Sequence, residues 1–386
     1  MNKMNVFYTG AFRFPDQDAA GKRVAQMVNV LESVDECGNI IVGGWEQGNK
    51  HERDHSDKCT AFSFSLLDKL HTSFLSRFSS HLFMGMSVLK WLVVNRHRYA
   101  IIILYNPPFL FSLLTLFLSL FLKKSVSLDS TEWYESAHLK GGKYGLVAIE
   151  NWLRMKVAYP LFNNHIVISS FLEKYFYGYS KNIVRIPPLA SQFVSKKAFG
   201  SNLDKKISFF YAGNIGNKDK LEVFIRQLAQ SPYARSKVHF HIAGTTEEDF
   251  LRKFSELSIL KAEICEVCTF LGRIPMHEVY ERYEHVDYCV FFREKKRYAL
   301  AGFPSKFVES LSFDTPVITN AVGDITAYFP DVGFLYEPGT DDIELLVDKL
   351  VLAKDSVNQN IERIFLDNFS IQSQTQKLQA FIKRLK

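Results

Sequence analysis

Short apolar runs alternate with stretches of helical period along the whole chain, and that alternation predicts its elements. Asn5–Thr9 reads as a strand around Val6-Phe7-Tyr8. Gly10 opens a polar loop, and Asp18 is placed to cap a helix with an apolar stripe of Val24, Met27, Val28 and Leu31. Further strands are predicted at Asn39–Val42, Thr60–Phe64, Ala100–Leu104, Ser125–Leu128 and His165–Ser169. Between them Leu67, Leu70, Phe74 and Phe78 mark one helix and Met84–Val94 another. Phe109–Leu122 is apolar almost all round and stops at Lys123-Lys124. Its 14 or so residues fall short of the roughly 20 a membrane span needs. It reads either as a core helix or as one partly immersed at a membrane face. Val184–Pro188 closes the first half, and the polar, basic, aperiodic stretch Ser191–Lys206 reads as a linker. Strands at Ile207–Ala212, Val238–Ala243, Asp287–Phe292 and Val317–Thr319 follow, with a helix over His277–Tyr283 and a last one carrying Leu378, Phe381 and Ile382. Strand–helix alternation in two halves predicts an α/β protein with two Rossmann-like domains, 1–190 and 205–370.

Composition agrees. At 386 residues, 47% hydrophobic and 23% charged, the chain has material for two cores and is not of the disordered class. The N-terminal apolar patch is too short for a signal peptide. Five scattered cysteines make no disulfide framework. A cytosolic protein with reduced thiols is expected. The net charge of +6 is uneven: Lys58–Leu128 holds eight basic residues (Lys58, Lys69, Arg77, Lys90, Arg96, Arg98, Lys123 and Lys124) against Asp68 alone, or +7, leaving −1 elsewhere. Basic residues set among Phe and Leu point to an anionic membrane surface, at the inner face of the cell membrane, rather than to nucleic acid.

Three motifs promise chemistry that their context withholds. Asp16-Gln17-Asp18 has the form of a metal-binding Asp-x-Asp, but it precedes a helix and reads as that helix's start. His51-Glu52-Arg53-Asp54-His55 has the zincin spacing without an apolar face to anchor a helix, and reads as a solvated loop within Trp45–Lys58. Cys265 and Cys268 have no second pair. No metal site is expected.

The stretch Ala299–Asn320 is different. A turn at Gly302-Phe303-Pro304 leads into a helix with Ser305 near its N-cap and Phe307, Val308 and Leu311 on its buried side. Asp314-Thr315-Pro316 breaks it before the strand at Val317. A helix start offers N–H groups and partial positive charge to a phosphate. Lys306 adds a full charge there, and Glu309, one turn on, is placed to accept hydrogen bonds from sugar hydroxyls. The form Pro304-Ser305-Lys306-Phe307-x-Glu309, then Pro316-Val317-Ile318, resembles the donor-binding signature of family-four-like (group 1) glycosyltransferases of the GT-B fold, most of all their bacterial surface-polysaccharide branch. Ala301 stands where that family often has a first glutamate.

The resemblance implies two Rossmann-like domains facing across a cleft, an N-terminal acceptor domain to which a C-terminal helix at 371–386 crosses back, and a C-terminal donor domain. It implies that the loop and helix hold a nucleotide sugar's diphosphate and that Glu309 holds the ribose. Gly213 opens a second phosphate-facing loop, with Lys218 or Lys220 to neutralise charge; Asn214 replaces the family's arginine. Arg273 and Ile274 resemble the edge that meets the nucleobase, and Arg293 begins a basic run just before the donor loop. Gly323-Asp324-Ile325 should border the cleft. On the acceptor side, Gly10 and Gly21 are candidates for close backbone approach. Asp129 and Glu132, after a strand's C-terminal end, are candidates to take or orient the acceptor's proton, with His138 a third. The expected activity is sugar transfer from a nucleotide-sugar donor to a saccharide or lipid-linked saccharide, retaining by resemblance, without a cofactor. A nucleotide-sugar epimerase and a non-catalytic membrane scaffold on the same fold are the rivals.

Overall fold

The computed structural model describes residues 3–45, 53–64, 84–139, 141–196, 206–213, 215–216, 219–353 and 360–385. They form two compact units: Met1–Leu189 with Lys296–Phe303 and Ile371–Lys386, and Ala190–Lys295 with Pro304–Ser370.

In the first unit the strands are β1 (Met4–Gly10), β2 (Cys37–Trp45), β3 (Arg53–Asp54), β4 (Cys59–Phe64), β5 (Ile101–Tyr105), β6 (Ser125–Ser130), β7 (Asn164–Val167) and β8 (Asn182–Arg185). Its helices before residue 189 are α1 (Ala19–Glu32), α2 (Met86–Val94), α3 (Phe109–Leu122), α4 (Leu146–Leu153) and α5 (Ser170–Phe176). The sheet order is β3-β4-β2-β1-β5-β6-β7-β8, parallel except for β3. The second unit has β9 (Ile207–Ala212), β10 (Val238–Ala243), β11 (Cys268–Gly272), β12 (Tyr288–Val290), β13 (Val317–Thr319) and β14 (Gly333–Leu335). Its helices include α6 (Leu221–Gln230), α7 (Pro232–Lys237), α8 (Glu247–Lys253), α9 (Lys261–Val267) and α10 (Met276–His285). After α11 (Arg297–Ala301), which belongs to the first unit, come α12 (Ser305–Ser312), α13 (Ile343–Leu352) and α14 (Ile361–Asn368). The last helix, α15 (Ile371–Lys383), returns to the first unit. The second sheet is wholly parallel, in the order β11-β10-β9-β12-β13-β14. Both sheets reverse their winding beside their first strand, between β1 and β5 and between β9 and β12. Open α/β sheets bind ligands beyond the carboxyl ends of the strands at such a point.

The period-2 pattern divides each strand between two cores. Val6 and Tyr8 face one layer with Val24, Met27, Leu31, Leu378 and Phe381; Phe7 faces the other with Val88, Leu92, Phe111 and Leu128. Asp18 caps α1 as expected, its carboxylate accepting from Gly21 N at 2.7 Å. The helix over Phe109–Leu122 has the expected bounds. Several expectations are revised. The strand at Ser125 runs two residues further than its apolar pattern, taking in Asp129 and Ser130. Arg53 and Asp54, expected in a loop, pair antiparallel with β4. Ser191–Lys196, the start of the stretch expected as linker, packs on the second unit: Val194 N donates to Ser312 O at 2.7 Å, and the Phe193 and Phe365 rings lie 5.6 Å apart. The N-cap of α12 is Pro304, with Ser305 its first residue. The helix expected around Leu67–Phe78, His51, Glu52 and Lys218 lie outside the described residues.

Candidate active site

In the second unit several predicted donor residues converge at the carboxyl ends of β9, β12 and β13. Gly213 follows β9 directly with φ +153, and a Cβ there would lie 2.8 Å from Lys306 Nζ. Only a glycine lets the lysine pass so close to the backbone. Lys306 sits in the first turn of α12, whose Pro304 cap supplies no side-chain acceptor. The start of that helix therefore offers the unsatisfied N–H groups common to helix N-termini. The Lys306 ammonium lies 5.2 Å from the centroid of the Tyr211 ring. Burial pushes its pKa down and the Arg293 guanidinium pushes it further, while Asp219 and Glu309 pull back. It is a half-buried cation short of counter-charge.

Arg293 joins this group by an ion pair with Asp219 at 3.3 Å, and Asp219 also accepts from the Tyr211 hydroxyl at 3.0 Å. The backbone at Arg293 is clamped by Asn320, which accepts from its N–H at 2.9 Å and donates to its carbonyl at 2.8 Å. Glu337 gathers Lys220 at 3.1 Å and Lys295 at 3.3 Å. Burial alone would raise its pKa, but hydrogen bonds from Lys220, Lys295 and Asn320 outweigh it and hold the carboxyl below the usual range. Glu309 is half-buried one turn beyond Ser305. Arg273 is exposed and Ile274 half-buried just past β11. Gly302 and Phe303 fall in the first unit and Pro304 and Ser305 in the second. The structure thus brings Gly213, Arg293 and Lys306 together and adds Tyr211, Asp219, Asn320 and Glu337. No spacing in the sequence singles these four out, since each comes from a different loop or strand end.

In the first unit, Asp129 is not in a loop but in β6, fully buried. It accepts from the Tyr8 hydroxyl and pairs with Arg23 at 3.4 Å, and Arg23 also donates to Pro187 O at 2.7 Å. Burial first, then the Asp129 charge, raises the Tyr8 pKa far above that of an ordinary tyrosine. Glu132 is half-buried and accepts from the Tyr134 hydroxyl. Beside it, Asn106 donates to Thr131 Oγ1 at 2.6 Å at the end of β5. Gly10 meets the Tyr105 carbonyl, which would stand 2.5 Å from an added Cβ. Gly21 is crossed by its own entry loop, with Arg13 O 1.9 Å from an added Cβ. Its missing side chain is explained by that crossing rather than by a ligand. His138 lies in a short 3-10 turn, Ser136–His138. Arg297 of α11 lies 4.9 Å from the centroid of the Trp133 ring and donates to Tyr134 O at 2.9 Å. Among the described residues no group of three or more His, Cys, Asp or Glu is placed to hold a metal ion.

Residues 193–364 match the family described as Glycosyl transferases group 1. The chain carries a group 1 glycosyltransferase domain over those residues. The chain as a whole has the GT-B fold. It superposes on sucrose-phosphate synthase from Thermosynechococcus elongatus with a TM-score of 0.74 and 15% identity, covering 99% of each chain. Against Anabaena HepE in complex with UDP and glucose the TM-score is 0.67 at 13% identity, covering 99% of this chain and 100% of the other. Against the lipopolysaccharide outer core galactosyltransferase WaaB it is 0.61 at 16% identity, covering 98% and 100%. No curated protein matches the chain by sequence.

Proposed function

We propose that this glycosyltransferase moves a sugar from a nucleotide-sugar donor to a hydroxyl of a saccharide or lipid-linked saccharide. One observation carries the donor half: the under-compensated Lys306 ammonium lies against Gly213 at the start of α12, beside Arg293, at the switch point of the second sheet. A diphosphate supplies the missing negative charge and accepts from the helix-start N–H groups. Arg293, Lys218 and Lys220 add positive charge around it. Glu309 accepts from the ribose hydroxyls, Gly302, Phe303, Pro304 and Ser305 line the turn into the site, and Arg273 and Ile274 meet the base. The HepE structures, which hold UDP or UDP-glucose, support a uridine donor.

The acceptor belongs to the N-terminal domain, residues 1–190 with the C-terminal helix, and the donor to residues 205–370. At the acceptor rim Glu132 takes or orients the hydroxyl proton, and Gly10 and His138 serve as lining residues. Asp129, held by Tyr8 and Arg23, is a positioning residue beneath the rim. In the transfer the acceptor oxygen bonds the anomeric carbon as the carbon–oxygen bond to the diphosphate breaks. The nucleoside diphosphate leaves with that electron pair, stabilised by Lys306, Arg293 and the α12 start rather than by a metal. Retention of configuration, a role in bacterial surface-polysaccharide synthesis and a place at the inner face of the cell membrane complete the reading; WaaB's activity on lipopolysaccharide supports the pathway. Calorimetric titration with UDP, GDP and ADP, each beside its monophosphate, tests it. One base should bind, with the diphosphate well ahead of the monophosphate. A protein that binds none of the three overturns the donor site.

A further inference from the structure

Helix α3 is built inside out. The residues it buries include Ser112, Thr115 and Ser119, and those it turns outward include Phe117, Leu120 and Phe121, at 62%, 76% and 69% exposure. The buried hydroxyls of Ser112 and Ser119 are satisfied by the helix's own carbonyls, Pro108 O at 2.8 Å and Leu116 O at 2.7 Å. The Phe117 and Phe121 rings pack on each other with centroids 4.7 Å apart. The neighbouring α4 repeats the pattern. It buries Ala148 and Asn151 and exposes Leu146, Ile149 and Trp152, the last at 57%. Water does not select two adjoining helices with large apolar side chains outward and small polar ones inward.

The charges along this part of the chain have one sign. From Met84 to Leu128 there are five Lys or Arg (Lys90, Arg96, Arg98, Lys123 and Lys124) and no Asp or Glu. Lys123 caps the end of α3, and Lys143 and Lys156 bracket α4. The one acid in α4, Glu150, is turned inward, accepting from Phe109 N at 3.0 Å at the start of α3. Among the described residues no helix is long and apolar enough to cross a membrane. At 14 residues α3 is about 21 Å long, against a hydrocarbon core of about 30 Å.

We propose that the outward face of α3 and α4 inserts into the surface of an anionic bilayer, with Phe117, Leu120, Phe121 and Trp152 among the acyl chains and the exposed Lys123 and Lys143 at the headgroups. The occupant is a lipid surface because apolar side chains are ringed by basic ones, the pattern of an interfacial helix. The inference rests on the proposal of a membrane location and assigns that location to these two helices.

The test uses the full chain with phosphatidylglycerol–phosphatidylcholine vesicles at low salt, without nucleotide. The wild type should co-sediment. The variant Phe117→Ser/Leu120→Ser/Phe121→Ser, melting with the wild type, should bind about 100-fold or more weakly, from the transfer cost of three large apolar side chains. Vesicles with brominated acyl chains should quench the fluorescence of the wild type but not that of Trp152→Phe, a readout independent of how the triple variant folds. Wild-type binding with undiminished quenching in Trp152→Phe, or an unaffected triple variant, overturns this face and leaves a membrane location standing. A wild type that ignores anionic vesicles overturns both. Reversible self-association that the triple variant abolishes, without vesicle binding, shows that a second copy covers the face and overturns the lipid assignment.

Discussion

Replacing Lys306 by Met separates a donor site from a structural lysine, because the two roles give opposite signs. In the free protein the ammonium is half-buried over Tyr211 with Arg293 near it, and its pKa is lowered by burial and that repulsion. Keeping the charge there costs stability. Lys306→Met keeps the stem and removes the charge, so the unliganded variant should melt at or above the wild type. The sign with pH follows: a lysine whose folded pKa lies below its unfolded one carries its penalty at neutral pH and sheds it as pH rises toward the unfolded value of about 10.4. The advantage of the Met variant should therefore shrink in alkali. With a diphosphate bound the balance reverses. An ammonium about 4 Å from a phosphate charge gains roughly 4 kcal/mol at an effective dielectric of about 20. The net value after desolvation is nearer the 1.5–3 kcal/mol of a charge-assisted hydrogen bond. The variant should lose about 10- to 100-fold in affinity for the diphosphate and little for the nucleoside. Thermal melts with and without nucleotide read both effects. A variant that melts well below the wild type yet keeps its ligand-induced shift refutes the reasoning.

Four further outcomes are expected. Glu309→Gln should weaken nucleotide binding about tenfold or more, from loss of a charge-assisted bond, with a melt near the wild type; unchanged affinity with a large loss of stability would instead make Glu309 structural. Asp129→Asn leaves the buried Arg23 without its carboxylate, so unfolding by urea should show a loss of roughly 3 kcal/mol; an inactive variant of normal stability would return Asp129 to the acceptor site itself. Burial lowers the pKa of His165 to about 4 from 6.5, against a hydrogen bond to the Tyr159 carbonyl. Its unfolded form takes a proton first, so stability should fall as pH drops from about 6.5 to 4, by about 3 kcal/mol at most, and His165→Gln should flatten that slope in acid denaturation curves. Transfer activity should survive EDTA; loss restored by manganese would show that a metal, not Lys306 and the α12 start, balances the leaving diphosphate.

The elements that local pattern specifies were legible in the sequence. The Asp18 cap, the bounds of α3 and the buried stripe of α12 all follow from residues within a few positions of one another. The helix start that carries Lys306 and Glu309 was legible for the same reason. Long-range partners were not. Asp129 looked available because its companions, Tyr8 and Arg23, come from another strand and another helix more than 100 residues away. Glu337 looked like an ordinary loop acid, yet it gathers Lys220 and Lys295. Nor does hydropathy tell which side of an all-apolar helix faces out. In α3 that side became visible only when folding buried Ser112, Thr115 and Ser119. The unit boundary inside Phe303-Pro304 is likewise invisible, because turn and helix read as one motif while their packing divides them.

The central claim is sugar transfer from a nucleotide donor bound at the α12 start. Mass spectrometry of the purified protein, incubated with a panel of nucleotide sugars and a lipid-linked saccharide extract, tests it most directly. The expected result is an acceptor heavier by one sugar residue and an equal yield of nucleoside diphosphate from one donor base, both lost in Lys306→Met. Donor isomerised or hydrolysed without any acceptor gaining a sugar, or no donor consumed at all, would contradict it.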